Sequence, residues 1–163
     1  MTFLAPSRML LNNRQFVQCA FLSPAEEERL REDTAQKGYS LVEADLVNIQ
    51  SSEELIQRMA SALNFPSYFG GNWDAFLDMA TDLSWNPAPG YVLFLKNAEA
   101  LLQLPSEQIA TFVRLCLAVV GRWQSGEDEE GNTIPRTPFY FLLQGQAPFC
   151  RLVTDLLALG RGS

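Results

Sequence analysis

The chain has 163 residues, 47% hydrophobic and 19% charged, which suffices for one globular domain with a core that needs no disulfide or metal staple. Twelve Lys and Arg stand against nineteen Asp and Glu, a formal charge of −7 that argues against phosphate-driven nucleic-acid binding and for basic partners. Histidine is absent, which removes the commonest general base, Ser-His catalysis and most catalytic zinc sites.

The opening MTFLAPSRMLL is broken by Pro6 and Arg8 and has no basic n-region, so a secretory signal is not expected. No apolar run approaches the roughly 20 residues of a membrane span, so the expectation is a soluble, cytoplasmic protein. Phe16 to Leu22 reads as a short buried strand. Ser23, Pro24 and Glu26 then form a helix start: a capping hydroxyl, a first-turn proline and a carboxylate at the third position. The helix they open is strongly polar, its charge run a solvated face, and Gly38 can close it. Tyr39 to Val47 is a second strand. Ser51 and Glu54 make another capping pair, and Leu55, Ile56, Met59, Ala60 and Leu63 form the buried stripe of the next helix.

Asn64-Phe65-Pro66 ends that helix, Ser67 to Gly71 makes a turn, and Asn72 can cap a helix from about Trp73 to Leu83. After the loop WNPAPG, the apolar run Tyr91 to Leu95 suits a central strand covered on both faces. A short helical turn at Asn97 to Leu102 precedes Pro105, which opens a long helix to about Trp123. That helix is apolar almost all round, so both its sides need cover, from the terminal segments or from a second subunit. The acidic loop from Gln124 to Pro138, with Glu127, Asp128, Glu129 and Glu130, reads as disordered and solvating, with the extension of a cation-binding surface as the alternative. Phe139 to Leu143 is the last strand, and Pro148 to Leu159 a final amphipathic helix. The alternation of strands and helices predicts a single α/β domain, residues 1–163, on a mainly parallel sheet. Cys19, Cys116 and Cys150 are odd in number, far apart and set among apolar residues, which reads as buried structural thiols without a metal or redox motif.

The chemistry concentrates in the helix after Gly70-Gly71. Asp74, Asp78 and Asp82 recur at steps of four, one turn apart on one face, while Phe76, Met79, Ala80 and Leu83 fall on the opposite, packing face. No Lys or Arg occurs between Arg58 and Lys96, so nothing nearby in sequence neutralises the row. Like charges at this spacing cost about 0.2–0.5 kcal/mol per pair, which Asp74 recovers from the helix dipole and the other two do not. Spacing alone fits two readings equally: an ordinary solvated face, or a ridge for a cationic partner. One ion pair at about 4 Å in an effective dielectric of ~20 is worth roughly 4 kcal/mol before desolvation, several times the repulsion accepted. Tyr68 and Trp73 are candidate aromatic anchors of such an interface, whereas Trp85 and Trp123 read as packing residues. Three aspartates after the glycine pair make a phosphate-binding turn unfavourable.

The stretch NFPSYFGGNWDAFLDMATDL resembles the signature of the barstar family, intracellular inhibitors of secreted bacterial ribonucleases. Its pattern is a proline, a spacer, two aromatics, a glycine, a spacer, an asparagine, an apolar residue, an aspartate, and a second aspartate four on. Pro66, Tyr68, Phe69, Gly70, Asn72, Trp73, Asp74 and Asp78 fill those places. The resemblance covers about residues 39–145 and implies a parallel sheet of three to four strands with helices packed on it, extended by residues 1–38 and a C-terminal helix in 146–163. It implies a non-enzymatic, cofactor-free inhibitor whose Tyr68, Asp74 and Asp78 plug the active site of a basic ribonuclease. Asn72, Trp73 and Asp82 would lie beside them, and Pro66, Phe69, Gly70 and Gly71 would shape the turn. Leu77 stands where the family's namesake has an aromatic residue, and FVRLCLAV on the long helix lacks the namesake's glutamate. Two other readings remain open: a structural domain that forms a homo-oligomer, motivated by the long apolar helix, and a hydrolase using Asp74 and Asp78 as acid and base.

Overall fold

The computed structural model describes residues 11, 15–66, 69–127 and 130–161. Chain order is β1 (Val17–Ala20), α1 (Pro24–Lys37), β2 (Ser40–Asp45), α2 (Ser52–Ala62), α3 (Trp73–Ala80), β3 (Tyr91–Lys96), a 3₁₀ helix (Ala98–Gln103), α4 (Ser106–Gln124), β4 (Phe139–Gln144) and α5 (Ala147–Arg161). The four strands form one parallel sheet in the order β1-β4-β3-β2. No helix among the described residues is long and apolar enough to cross a membrane.

The local signals act where the sequence places them. Ser23 and Glu26 close a reciprocal capping box on α1, with Pro24 at its first position, and Gly38 ends the helix in the left-handed conformation at φ 72°. Ser51 accepts the Glu54 backbone N–H to start α2.

β3 and β4 occupy the centre of the sheet, and their first five residues are all buried. Because side chains alternate along a strand, each run serves two cores. Leu93, Leu95, Phe139, Phe141 and Leu143 face α2, α3, α4 and α5, with Phe76, Phe112, Met59 and Val153 among the residues packed there. Val92, Phe94, Tyr140 and Leu142 face the other way, under Leu30 of α1, Leu22 and Leu11. The Tyr140 hydroxyl donates to the Leu11 carbonyl at 2.6 Å, and burial pushes its pKa up to about 12. The expected layered α/β architecture is therefore present, with α1 on one face and α2 to α5 on the opposite one.

Several expectations change. Cys19 on β1 and Cys150 on α5 form a disulfide, leaving Cys116 as the free thiol. Sequence spacing could not reveal this, because the two residues lie 131 apart and meet only when β1 joins the sheet beside β4. The α1 charge run is more than a solvated face: Arg31 makes two hydrogen bonds to the Glu43 carboxylate of β2, at 2.9 and 3.0 Å, with Glu27 and Glu28 alongside. Lys96 adds to this network from β3, 3.9 Å from both Glu27 and Glu43. The 124–138 loop carries order in its described part, where Glu127 bridges Thr133 and the Ile134 N–H donates to the Gly126 carbonyl. α4 is covered on the sheet side and flanked by α3 and α5, and it exposes Glu107, Arg114, Ala118, Gly121 and Arg122.

Arg31 holds the Glu43 carboxyl below its ordinary pKa, and the Asn97 amide does the same for Asp45, helped by the Val47 N–H. A carboxyl whose folded pKa is depressed stabilises the protein above its unfolded pKa, and that stability is lost as pH falls through the folded value. Taking the pH from 7 to below about 4 should lower the urea midpoint less in Glu43→Gln than in the wild type. The difference should be under about 1 kcal/mol, since the pair is partly exposed.

Candidate functional site

A glycine, a cap and an aromatic cluster place α3. Gly71 adopts φ 78°, a left-handed conformation that turns the chain into the helix. Asn72 follows as N-cap, its Oδ1 accepting the Ala75 N–H at 2.8 Å. Beneath the turn, the Phe65 ring packs against Phe69, Phe76 and Trp85 at centroid distances of 5.1, 5.2 and 5.9 Å. The Phe69 N–H donates to the Pro66 carbonyl, closing the turn's entry. Ser67 and Tyr68 lie outside the described residues.

The inward face of α3 is fixed by Phe76 and Ala80, both fully buried, with Met79 half-buried. Its first residue, Trp73, also turns inward, its ring 6.3 Å from Phe112 of α4 and 6.4 Å from Phe76. Trp73, expected as an anchor for an external partner, is partly buried and packs at the junction between α3 and α4. The far end of α3 is held from α4 as well. Trp123 Nε1 donates to the Ala80 carbonyl at 2.9 Å, satisfying one of the acceptors a helix end leaves open, and Arg122 donates to Thr81 Oγ1 at 3.3 Å. Neither contact is legible locally, because the partners are 41 and 43 residues apart.

Asp74 and Asp78 stand on the outer face of this clamped helix, one turn apart and exposed. Asp82 lies two residues past the end of α3. α3 stops at Ala80, where Thr81 returns its hydroxyl to the Leu77 carbonyl at 2.7 Å and Asp82 N–H reaches only to Met79, tightening the last turn. Leu83 then takes φ 49° and buries its side chain, and the exposed Asp82 carboxylate accepts from Ser84 Oγ at 3.3 Å. Within the helix the row is two carboxylates, Asp74 and Asp78, and Asp82 follows in the turn beyond it.

The cations that bracket the segment in sequence are engaged elsewhere. Arg58 donates to the carbonyls of Asp45 and Val47 at 2.7 and 2.9 Å, and Lys96 stands by Glu27 and Glu43. Among the described residues, Asp74, Asp78 and Asp82 take part in no ion pair. Chemically, Asp74 and Asp78 are two exposed carboxyl groups on a helix held at both ends, a surface suited to guanidinium or ammonium groups brought by another molecule. No group of three or more Cys, Asp or Glu among the described residues could hold a metal ion.

A family model described as Barstar (barnase inhibitor) matches residues 39–135, more than half of the chain. The matched stretch runs from just before β2 through the ridge to the loop after α4, so β1, α1, β4 and α5 fall outside it. No curated protein matches the chain.

If α3 depends on its cap and its clamp, each should be measurable without touching the ridge. Asn72→Ala should destabilise the protein by about 1 kcal/mol, and Trp123→Phe by a similar amount through the lost donor to Ala80. Urea denaturation of the two variants checks both.

Proposed function

Because the chain belongs to the barstar family, a family of inhibitors, we propose that it inhibits a basic ribonuclease by seating the outer face of α3 in that enzyme's active-site cleft. The observation that carries this reading is the pair Asp74 and Asp78: exposed, one turn apart, without an internal ion-pair partner among the described residues, and fixed at both ends of their helix. A cleft that cleaves RNA presents Arg and Lys to substrate phosphates. Two carboxylates one helical turn apart can take the place of those phosphates, and the chain's charge of −7 would speed the encounter. Tyr68 joins them as the aromatic contact of the proposed surface, with Asn72 holding the helix start.

The inhibitor role places no demand on proton transfer or on a cofactor. It asks only that the ridge be stiff before binding, so that little ordering entropy is lost on docking. The aromatic cluster under the turn and the Trp123 clamp supply that stiffness.

RNA hydrolysis by barnase, titrated with this protein, tests the proposal, with affinity measured by calorimetry at low and high salt. Inhibition that weakens with salt is expected. Asp78→Ala should cost about 2–5 kcal/mol of binding, a range in which the barnase–barstar pair is itself a reference case, while moving fold stability by no more than about 0.5 kcal/mol. Equal inhibition by the wild type and by Asp74→Asn/Asp78→Asn would remove the ridge from the interface. Absence of inhibition across barnase and other basic ribonucleases would remove the target class.

A further inference from the structure

The disulfide lies in a telling place. Cys19 sits on β1, an outer strand of four residues whose neighbour in the sheet is β4, and Cys150 in the first turn of α5. Both residues are outside the matched 39–135 stretch, one before it and one after, so the bond closes a ring of chain around the whole of that stretch. Their Cα atoms are 5.1 Å apart, a separation normal for a bridge, and both cysteines are half-buried, within reach of a small reductant. The remaining thiol, Cys116, is fully buried in α4 and its pKa is raised by that burial, so it does not compete as an exchange partner.

What the bond fastens has unequal support without it. α5 keeps Phe149, Val153 and Leu157 in the main core, and Gly160 packs closely on Leu117 of α4. β1 has its short ladder to β4, with Val17 opposite Phe141 and Cys19 opposite Leu143. The ridge, by contrast, is braced by α4 and by the Phe65 cluster, with no contact to either cysteine among those described above. Opening the bond therefore releases the β1 edge and the start of α5 and leaves α3 in place.

We propose that Cys19–Cys150 is a reversible redox staple that locks the two terminal additions to the sheet edge. A dithiol reductant opens it: one reductant thiolate attacks a sulfur of the bridge, its second thiol resolves the mixed disulfide, and the products are two cysteine thiols and the oxidised reductant. Two electrons pass to the protein and two protons complete its thiols.

The test compares full-length protein purified in air with the same sample treated with dithiothreitol, and with Cys19→Ser/Cys150→Ser as a variant that reductant cannot change. Thiol titration after denaturation should find one thiol before reduction and three after it. Hydrogen exchange of residues 17–20 and 147–153 should quicken by about tenfold or more on reduction. The melting temperature should fall by roughly 5–15 °C, both changes should reverse on reoxidation, and exchange in α3 should hold constant. Three thiols in the air-purified sample would overturn the proposal. So would identical exchange in the two redox states, or loosening of α3 together with the edge. Should the double variant fail to accumulate, the reduced wild type carries the same comparison.

Discussion

An eight-residue helix has no independent stability in water, since nucleation costs more than two turns of hydrogen bonds return. Everything that distinguishes this surface therefore depends on how α3 is held by the rest of the molecule. Asn72 satisfies its first turn, Trp123 its last, and Phe76 and Ala80 bury its inner side between them. Repulsion between Asp74 and Asp78 is tolerated because it is small beside that anchoring: tenths of a kcal/mol against about 1.5–3 for a buried Phe. The side that packs makes the side that protrudes possible.

The sheet plays the corresponding part for the domain as a whole. β3 and β4 are buried on both faces, so they tolerate only apolar runs and leave chemistry to the helices and turns around them. α4 is the intermediary, in contact with the sheet on one side, with α3 on another and with α5 on a third. Through α4 the matched family stretch and the C-terminal addition share one core, and β1 extends the same sheet beyond β4.

Charge is distributed by the same logic. Arg31, Lys96 and Arg58 are drawn to the β2 side, where they bind Glu43, Glu27 and the carbonyls of Asp45 and Val47. That arrangement knits α1 to the sheet and keeps three cations away from the ridge. Arg122 does approach α3, but at Thr81, beyond the two carboxylates.

The order of elements, both serine caps, the Gly38 terminus, the two-faced central strands and the Asp74–Asp78 spacing could all be read along the chain. Each rests on interactions within four residues or on a strand's alternation. The resemblance signature likewise lies in one continuous segment. Other features were decided only in three dimensions. α3 ends at Ala80, before Asp82, Trp73 packs beside Phe112 of α4, and Cys19 meets Cys150 because β1 pairs with β4. Periodicity says which residues share a face of a helix. Where that helix stops, and what covers it, is settled by partners tens of residues away, whose positions no local pattern encodes.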